Sequence, residues 1–266
     1  MLKQESPISN LLNHMRVKGI THFLIDEISM IPLWIWNMLS HLKEQHKFIF
    51  IGCGDWKQLA PPEEEHIEFE NLQIVKELSN YNSYELCKVW RFNDNKLLQD
   101  AYKASNGEAI DYTTYGDVEN ELSLCHTNDA VDAINTLWNQ RHATLTVDSA
   151  QAQVVGFDNT KYIIYKGLVL MVYKTHIGNV FTNSQALIVH SWIDDTFILL
   201  TQANTQIELD IKYTASFKPR YAMKTHKSQG STFTKPYSIY EYKLMKANSL
   251  YVAFTRARDN GADNCS

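Results

Sequence analysis

Proline and glycine are scarce in this 266-residue chain, at six and ten residues. That excludes collagen-like, Gly/Pro-rich low-complexity and long flexible-linker architectures. Cysteine is rarer still. The four thiols, Cys53, Cys87, Cys125 and Cys265, form no Cys-x-x-Cys pair. A disulfide scaffold is therefore excluded, and buried free thiols in a reducing compartment are expected. The ten histidines include no His-Glu-x-x-His and no metal spacing, so no zinc site is expected. No apolar run reaches the roughly 18 residues of a membrane span. Residues 1–20 lack the charged-then-apolar order of a signal peptide. The chain reads as an intracellular globular protein without a membrane partner.

Hydrophobic residues make up 44% and charged residues 21%, ordinary for a soluble globular protein, and the length suits about two domains. The net charge is −5, which argues against a general polyanion binder. Its distribution is uneven. Residues 212–258 hold ten Lys and Arg against one acid, Glu241, so the remainder of the chain is strongly acidic. A local basic surface suits phosphate, although neighbours in sequence need not be neighbours in space.

Apolar spacing predicts an amphipathic helix through Ile8, Leu11, Leu12 and Met15, closed by Gly19. Residues 21–25 predict a buried parallel strand. Pro32 opens a helix through Leu33, Trp36, Leu39 and Leu42, and residues 47–51 predict a second strand, completing a βαβ unit. Beyond an acidic loop, strands are expected at 84–89 and 122–125, with helices at 93–105 and 129–141. From about 150 to 212, Val, Ile, Thr and Tyr alternate in short runs, broken by turns such as Gly178-Asn179 and Asp194-Asp195. That texture predicts a small antiparallel β-barrel inserted in an α/β domain.

Four segments carry chemistry. Asp26-Glu27 ends the first strand, at the sheet edge where open α/β folds bind ligands. Two ionised carboxylates there can hold a magnesium ion and polarise a water. An acidic turn after an apolar strand is commonplace, so alone this signal is weak. Gly54-Asp55-Trp56-Lys57-Gln58 follows the next strand and falls on the same edge, where Gln58 can bond a phosphate oxygen and a water. Thr225-His226-Lys227-Ser228-Gln229-Gly230 offers hydroxyls, an amide and a cation after a third strand. If a helix starts there, its N–H groups suit phosphate. Tyr251-Val252-Ala253-Phe254-Thr255-Arg256 places a guanidinium at the end of an apolar helix.

In this order, "LIDEISM", "GDWKQLAPP", "THKSQGSTF" and "YVAFTRAR" resemble motifs II, III, V and VI of superfamily 1 helicases. The wording is nearest the RecD/Dda/Pif subgroup. "YELCKVWRFNDNKLL" (84–98) is similar to the motif IV region, with Arg91 at the arginine position. "LSLCHTNDAVDAIN" (122–135) is similar to the strand-helix that follows. The resemblance covers roughly residues 20 to 258. It implies an α/β fold of two RecA-like P-loop NTPase domains with the small barrel inserted. The first domain would be partial (1–83), the second would comprise 84–149 and 213–266, and the insert 150–212. It implies ATP and Mg²⁺ as cofactors and a single-stranded DNA or DNA-fork partner, travelled 5′ to 3′. By the same resemblance, Asp26 holds Mg²⁺, Glu27 is the catalytic base and Gln58 senses the γ-phosphate. Arg91 and Arg256 act as arginine fingers across the cleft. Asp55, Gln229 and Gly230 serve the nucleotide, and Thr225, His226, Lys227 and Ser228 touch DNA.

One departure is large. No Gly-x-x-x-x-Gly-Lys-Ser/Thr occurs, and Gly19 is the first glycine. Without that loop there are no clustered N–H groups and no lysine for the β-phosphate. The chain is read as the motor portion of a helicase that is inactive alone and needs a missing N-terminal segment. The alternative is a non-catalytic nucleic-acid- or partner-binding remnant. An incomplete first domain is expected to leave a sheet edge and an apolar face exposed.

Overall fold

The computed structural model describes residues 15, 17–46, 48–91, 95–116, 120, 122–146, 153–157, 160–173 and 181–258. Most of the expected N-terminal helix and the Gly178-Asn179 turn lie outside these residues. The chain divides into two compact units, residues 1–89 and 90–266. Each is described by itself.

In the first unit, β1 (His22–Ile25) and β2 (Ile49–Gly52) pair in parallel, with Leu24 opposite Ile51. The helix α1 (Leu33–His46) joins them. Period-2 alternation sends Phe23, Ile25 and Phe50 to the α1 side. There Phe23 meets Phe48 edge-on at 4.9 Å and stacks on Phe50 at 5.1 Å. Trp36, Leu39 and Leu42 return at helical spacing and are buried on that same core. A short helix, α2 (Gln73–Leu78), packs beside α1. Lys43 Nζ donates to the Glu77 and Leu78 carbonyls at its C-terminus, at 2.6 and 3.0 Å.

The opposite face of β1 and β2 is bare. Leu24 is 73% exposed, Ile49 51% and Ile51 48%. Parallel sheets are ordinarily covered on both faces. The expected buried strand is therefore only half buried, and the exposed apolar face lies on the sheet.

The strand expected at 84–89 is not formed. Residues 82–90 have no regular structure, and Tyr84 and Leu86 are almost fully exposed. The residues suit a strand, but a strand needs a partner to complete its hydrogen bonds, and composition does not supply one.

The second unit has a parallel sheet in the order β11 (Ala222–Lys224), β3 (Ser123–Cys125), β12 (Ser238–Ile239). Helices α3 (Asn95–Asn106) and α5 (Ala247–Phe254) pack together, with Ala101 and Ala104 fully buried among Leu250, Tyr251 and Phe254. The long helix α4 (Asn128–Thr146) follows β3. Two of its asparagines, one turn apart, act as surrogate strand edges. Asn135 Nδ2 donates to Ala222 O (3.1 Å) while its Oδ1 accepts from Tyr221 N and Ala222 N. Asn139 exchanges a similar pair with the backbone of Ile163, at 2.7 and 2.8 Å.

The β-rich insert contains a hairpin, β4 (Gln153–Phe157) with β5 (Thr160–Ile164). Four further strands of it form a five-stranded antiparallel sheet with a strand from beyond the expected end of the insert at residue 212. The order there is β10 (Phe217–Pro219), β6 (Val169–Val172), β7 (Ala186–Ile193), β8 (Thr196–Leu200), β9 (Gln206–Asp210). Asp194-Asp195 makes the expected turn between β7 and β8. Leu168, Leu187, Val189, Phe197 and Leu199 form its core, joined by Ile164 and Tyr165. Among the described residues the strand pairing is that of an open sheet plus a hairpin and does not close into the expected barrel. Alternation specifies that one face is buried and leaves closure undecided.

Candidate active site and nucleic-acid interface

The first unit gathers its chemistry at the C-terminal ends of β1 and β2. Asp26 is exposed, and its Oδ1 accepts the Glu27 N–H at 2.8 Å. Glu27 has φ 51° and ψ 47°, a left-handed conformation unfavourable for a residue with a side chain. Such strain persists only where the surroundings enforce it, and it clusters at functional sites. Here the enforcing contacts are visible. Cys53 N donates to Ile25 O (2.7 Å) and Ile28 N donates to Cys53 O (3.1 Å). A Cβ on Gly54 would fall 2.7 Å from Ile28 N and 2.8 Å from Ile28 Cγ1. Only glycine permits that approach.

The loop after Gly54 is also built. Asp55 Oδ1 accepts from Lys57 N (2.9 Å) and Asp55 O from Gln58 N (3.1 Å), an Asx-turn that sets Gln58. Trp56 enters the core near Trp36, at 6.5 Å. Further on, Glu64 Oε2 accepts the Leu33 N–H at 2.9 Å, which caps α1 with the loop's own carboxylate. Asp26, Glu27, Asp55 and Gln58 are thus brought to one strand-end platform. Among the described residues no group of three or more metal-ligating side chains occurs.

In the second unit, residues 225–228 form a four-residue 3₁₀ turn after β11. The condition of a helix start, on which its phosphate-facing N–H groups depended, is met only by this single short turn. Thr225 and Ser228 are buried. Thr225 Oγ1 bonds Cys125 O (3.4 Å) and Met245 Sδ (3.8 Å), and Ser228 Oγ donates to Thr225 O (2.6 Å). Their hydroxyls are inward-facing structural groups here. Lys227 Nζ donates to Asn183 Oδ1 (2.9 Å) and sits 4.4 Å from the Tyr173 ring centroid, which ties the turn to the β-rich insert. Burial and nearby Lys218 lower its pKa. His226 is exposed on its outer side yet crowded on the other. That desolvation, with Lys224 and Lys227 beside it, lowers its pKa to about 4, so it is a neutral imidazole at physiological pH. Gly230 is exposed with φ +75°, and Gln229 is half-buried.

Arg256 is 1% exposed. Its Nε donates to Val252 O (3.1 Å), Nη1 to Ser228 O and Ser231 O (3.4 and 3.3 Å), and Nη2 to Thr255 Oγ1 (3.2 Å). Arg91 Nη1 donates to the Thr255 carbonyl at 2.8 Å. The two guanidinium groups therefore converge on Thr255, and Arg256 also ties the end of α5 to the 228–231 loop.

The basic stretch is partly consumed by the fold. Lys218 is buried against Asp132 at 2.5 Å and over Tyr173, Lys212 pairs with Asp210, and Arg256 is interior. Sequence reasoning gave no role to Glu241, Asn135 or Asn139. Glu241, the single acid in that stretch, accepts from His126 N, Thr127 N and the Thr127 hydroxyl at the start of α4. Burial alone would raise its pKa, but these bonds outweigh it and lower it. Its isolation among cations was the available signal.

Both units carry polar and charged side chains at the C-terminal ends of parallel strands, the edge at which open α/β sheets bind ligands. Comparison with solved structures makes the fold specific. A structure of two coordinating Pif1 helicases at forked double-stranded DNA matches with TM-score 0.65 and 18% identity, over 96% of this chain and 70% of that one. A Bacteroides Pif1 helicase in complex with ADP-AlF3 and single-stranded DNA matches at 0.61 and 17%, over 97% and 72%. Pif1 helicase from Candida albicans matches at 0.59 and 17%, over 96% and 75%. The fold is that of Pif1 helicase domains. No family model and no curated protein matches the chain. Among the described residues, no helix is long and apolar enough to cross a membrane.

Proposed function

We propose that this chain is the motor portion of an ATP-dependent DNA helicase, a 5′-to-3′ translocase on single-stranded DNA of the superfamily 1B, RecD/Dda/Pif-like kind. The observation that carries the proposal is the strained Glu27 beside Asp26, braced by Gly54 and two backbone hydrogen bonds against the loop that bears Gln58. Glu63 and Asp194 share the left-handed backbone, so what supports the reading at Glu27 is its place at a strand end and its bracing against the neighbouring loop. In this reading Asp26 holds Mg²⁺, which supplies charge neutralisation to the phosphates. Glu27 accepts a proton from the attacking water, and Gln58 orients that water. Asp55 shapes the Gln58 turn, and Gln229 and Gly230 line the nucleotide side of the 225–230 turn. Arg91 and Arg256 would serve as arginine fingers, and Arg256 must then give up its carbonyl partners to do so. A nucleotide that binds only the released form shifts the chain toward it.

The sequence lacks a phosphate-binding loop. The bare apolar face of β1 and β2 supports a further polypeptide segment that covers it and brings that loop. On this reading the chain alone does not turn over. A second reading, a non-catalytic nucleic-acid- or partner-binding remnant, is favoured by one observation. Both proposed fingers are bonded inside the protein.

The test is ATP hydrolysis by the purified chain with and without single-stranded DNA, beside Glu27→Gln. Salt-sensitive DNA binding without turnover is expected. DNA-stimulated turnover abolished by Glu27→Gln would show that the missing loop is dispensable. Absence of DNA binding would sink the motor reading and leave only a partner-binding remnant.

A further inference from the structure

Three turns meet at the C-terminal ends of β3, β11 and β12: residues 126–127, 225–228 and 241–246. Glu241 joins the first and third through the His126 and Thr127 N–H groups. Thr225 joins the second to the others through Cys125 O and Met245 Sδ. Their inner sides are sealed, since Thr225, Ser228 and Met245 are all buried. What they present outward is His226, Lys243, Leu244 and Lys246.

The 241–246 turn is shaped to present those groups. Glu241 adopts φ 57° and ψ 29°, left-handed and held there by its own capping bonds, and this starts a single 3₁₀ turn at Tyr242–Leu244. Tyr242 is anchored by its ring against Tyr112, with centroids 4.2 Å apart. Lys243 follows it on the outside, 5.8 Å from the Tyr242 ring, and makes no ion pair among the described residues. Leu244 is 61% exposed.

Two acids beside this surface, Glu241 and Asp111 (next to the Tyr112 on which Tyr242 packs), are hydrogen-bonded to backbone and hydroxyl groups and not to its lysines. The Glu241 carboxylate is absorbed at the start of α4, and the Asp111 carboxylate by Thr113 N (3.0 Å) and Thr113 Oγ1 (2.6 Å). A positive group next to an exposed apolar side chain, on a rigid turn, matches a single strand. Its phosphates need cations, and its unpaired bases offer apolar faces. A duplex hides those faces.

We propose that the Tyr242–Lys246 turn is a second grip for single-stranded nucleic acid beside His226, with Lys243 on a phosphate and Leu244 against a base. This rests on the reading of the chain as a DNA-binding motor. It also moves the contact surface from the side chains of Thr225, Lys227 and Ser228, which the fold uses internally, to the adjoining turn.

The experiment is fluorescence anisotropy of a labelled oligothymidine with the full chain across a salt series, beside an unlabelled duplex competitor. The variants are Lys243→Ala, Leu244→Ser and, as a charge-matched control, Lys166→Ala, an exposed lysine between β5 and β6. Lys243→Ala should weaken binding and reduce the log–log salt slope by about 0.7, the loss of one single-strand phosphate contact. Leu244→Ser should weaken binding with the slope unchanged. If Lys243→Ala matches Lys166→Ala at every salt concentration, the grip does not exist while the DNA-binding reading stands. If the duplex competes as well as the single strand, the assignment to a single strand is overturned. If the wild-type chain does not bind, the DNA-binding reading falls and takes this proposal with it. Melting curves of the variants should overlay the wild type, because both side chains are exposed.

Discussion

Replacing Arg256 by alanine tests how the end of α5 is held. The guanidinium is interior and donates to three backbone carbonyls, of Val252, Ser228 and Ser231, and to the Thr255 hydroxyl. Truncation removes a charged donor from each and leaves acceptors without it in a site closed to water. Removing one partner of a buried charged network costs about 3–5 kcal/mol. For a unit of this size each kcal/mol shifts the melting midpoint by about 2–4 °C, so a drop on the order of 10 °C is expected. Arg256→Lys should recover only part of it. One ammonium keeps the charge, but it does not reproduce a planar fork that reaches the helix end and the 228–231 loop together. The assay is calorimetric melting of the chain without nucleotide. A midpoint for Arg256→Ala within about 1 °C of the wild type would refute the reasoning. The side chain would then be idle in the unliganded fold and reserved for a nucleotide.

Two further outcomes follow from local geometry. Gly54→Ala should destabilise the first unit by about 1–3 kcal/mol, because the new methyl meets the Ile28 backbone, which cannot rotate aside. An unchanged urea midpoint would show that the two strand-end turns are not braced against each other. His226 titrates in the folded chain near 4, below the usual histidine range, so between those values the unfolded chain binds more protons. Its contribution to stability is therefore complete above about pH 6.5 and declines as pH falls toward 4. His226→Gln should flatten that part of the pH–stability curve. A proton NMR titration of His226 with an ordinary midpoint would contradict the crowding deduced for its ring.

The βαβ unit was legible because its signals are local. Phe23, Ile25 and Phe50 alternate at strand period, and Trp36, Leu39 and Leu42 recur at helix period, and both patterns reflect which side meets a core. The candidate catalytic positions were legible for a related reason. Asp26-Glu27 and Gly54 through Gln58 each follow an apolar strand, and parallel neighbours end on one edge. Failures occurred where the answer depended on a partner. Among the described residues, 84–89 have strand-like composition but pair with no strand, and the 150–212 region alternates without closing a barrel.

By itself, the sequence determined which residues could form helices and strands, which chemistry sits at strand ends, and that no phosphate-binding loop is written in it. Only the tertiary structure decided which polar groups face water. Thr225, Ser228 and Arg256 sit in segments whose wording resembles helicase motifs, yet they are turned inward because buried hydroxyls and cations must find acceptors, and nearby carbonyls provide them. Glu241 is surrounded in sequence by cations and is spent on a helix start nearly 115 residues away in the chain. Composition fixes the inventory of charges. Which of them remain free for a partner is fixed by packing, because every internal partner removes a group from the surface.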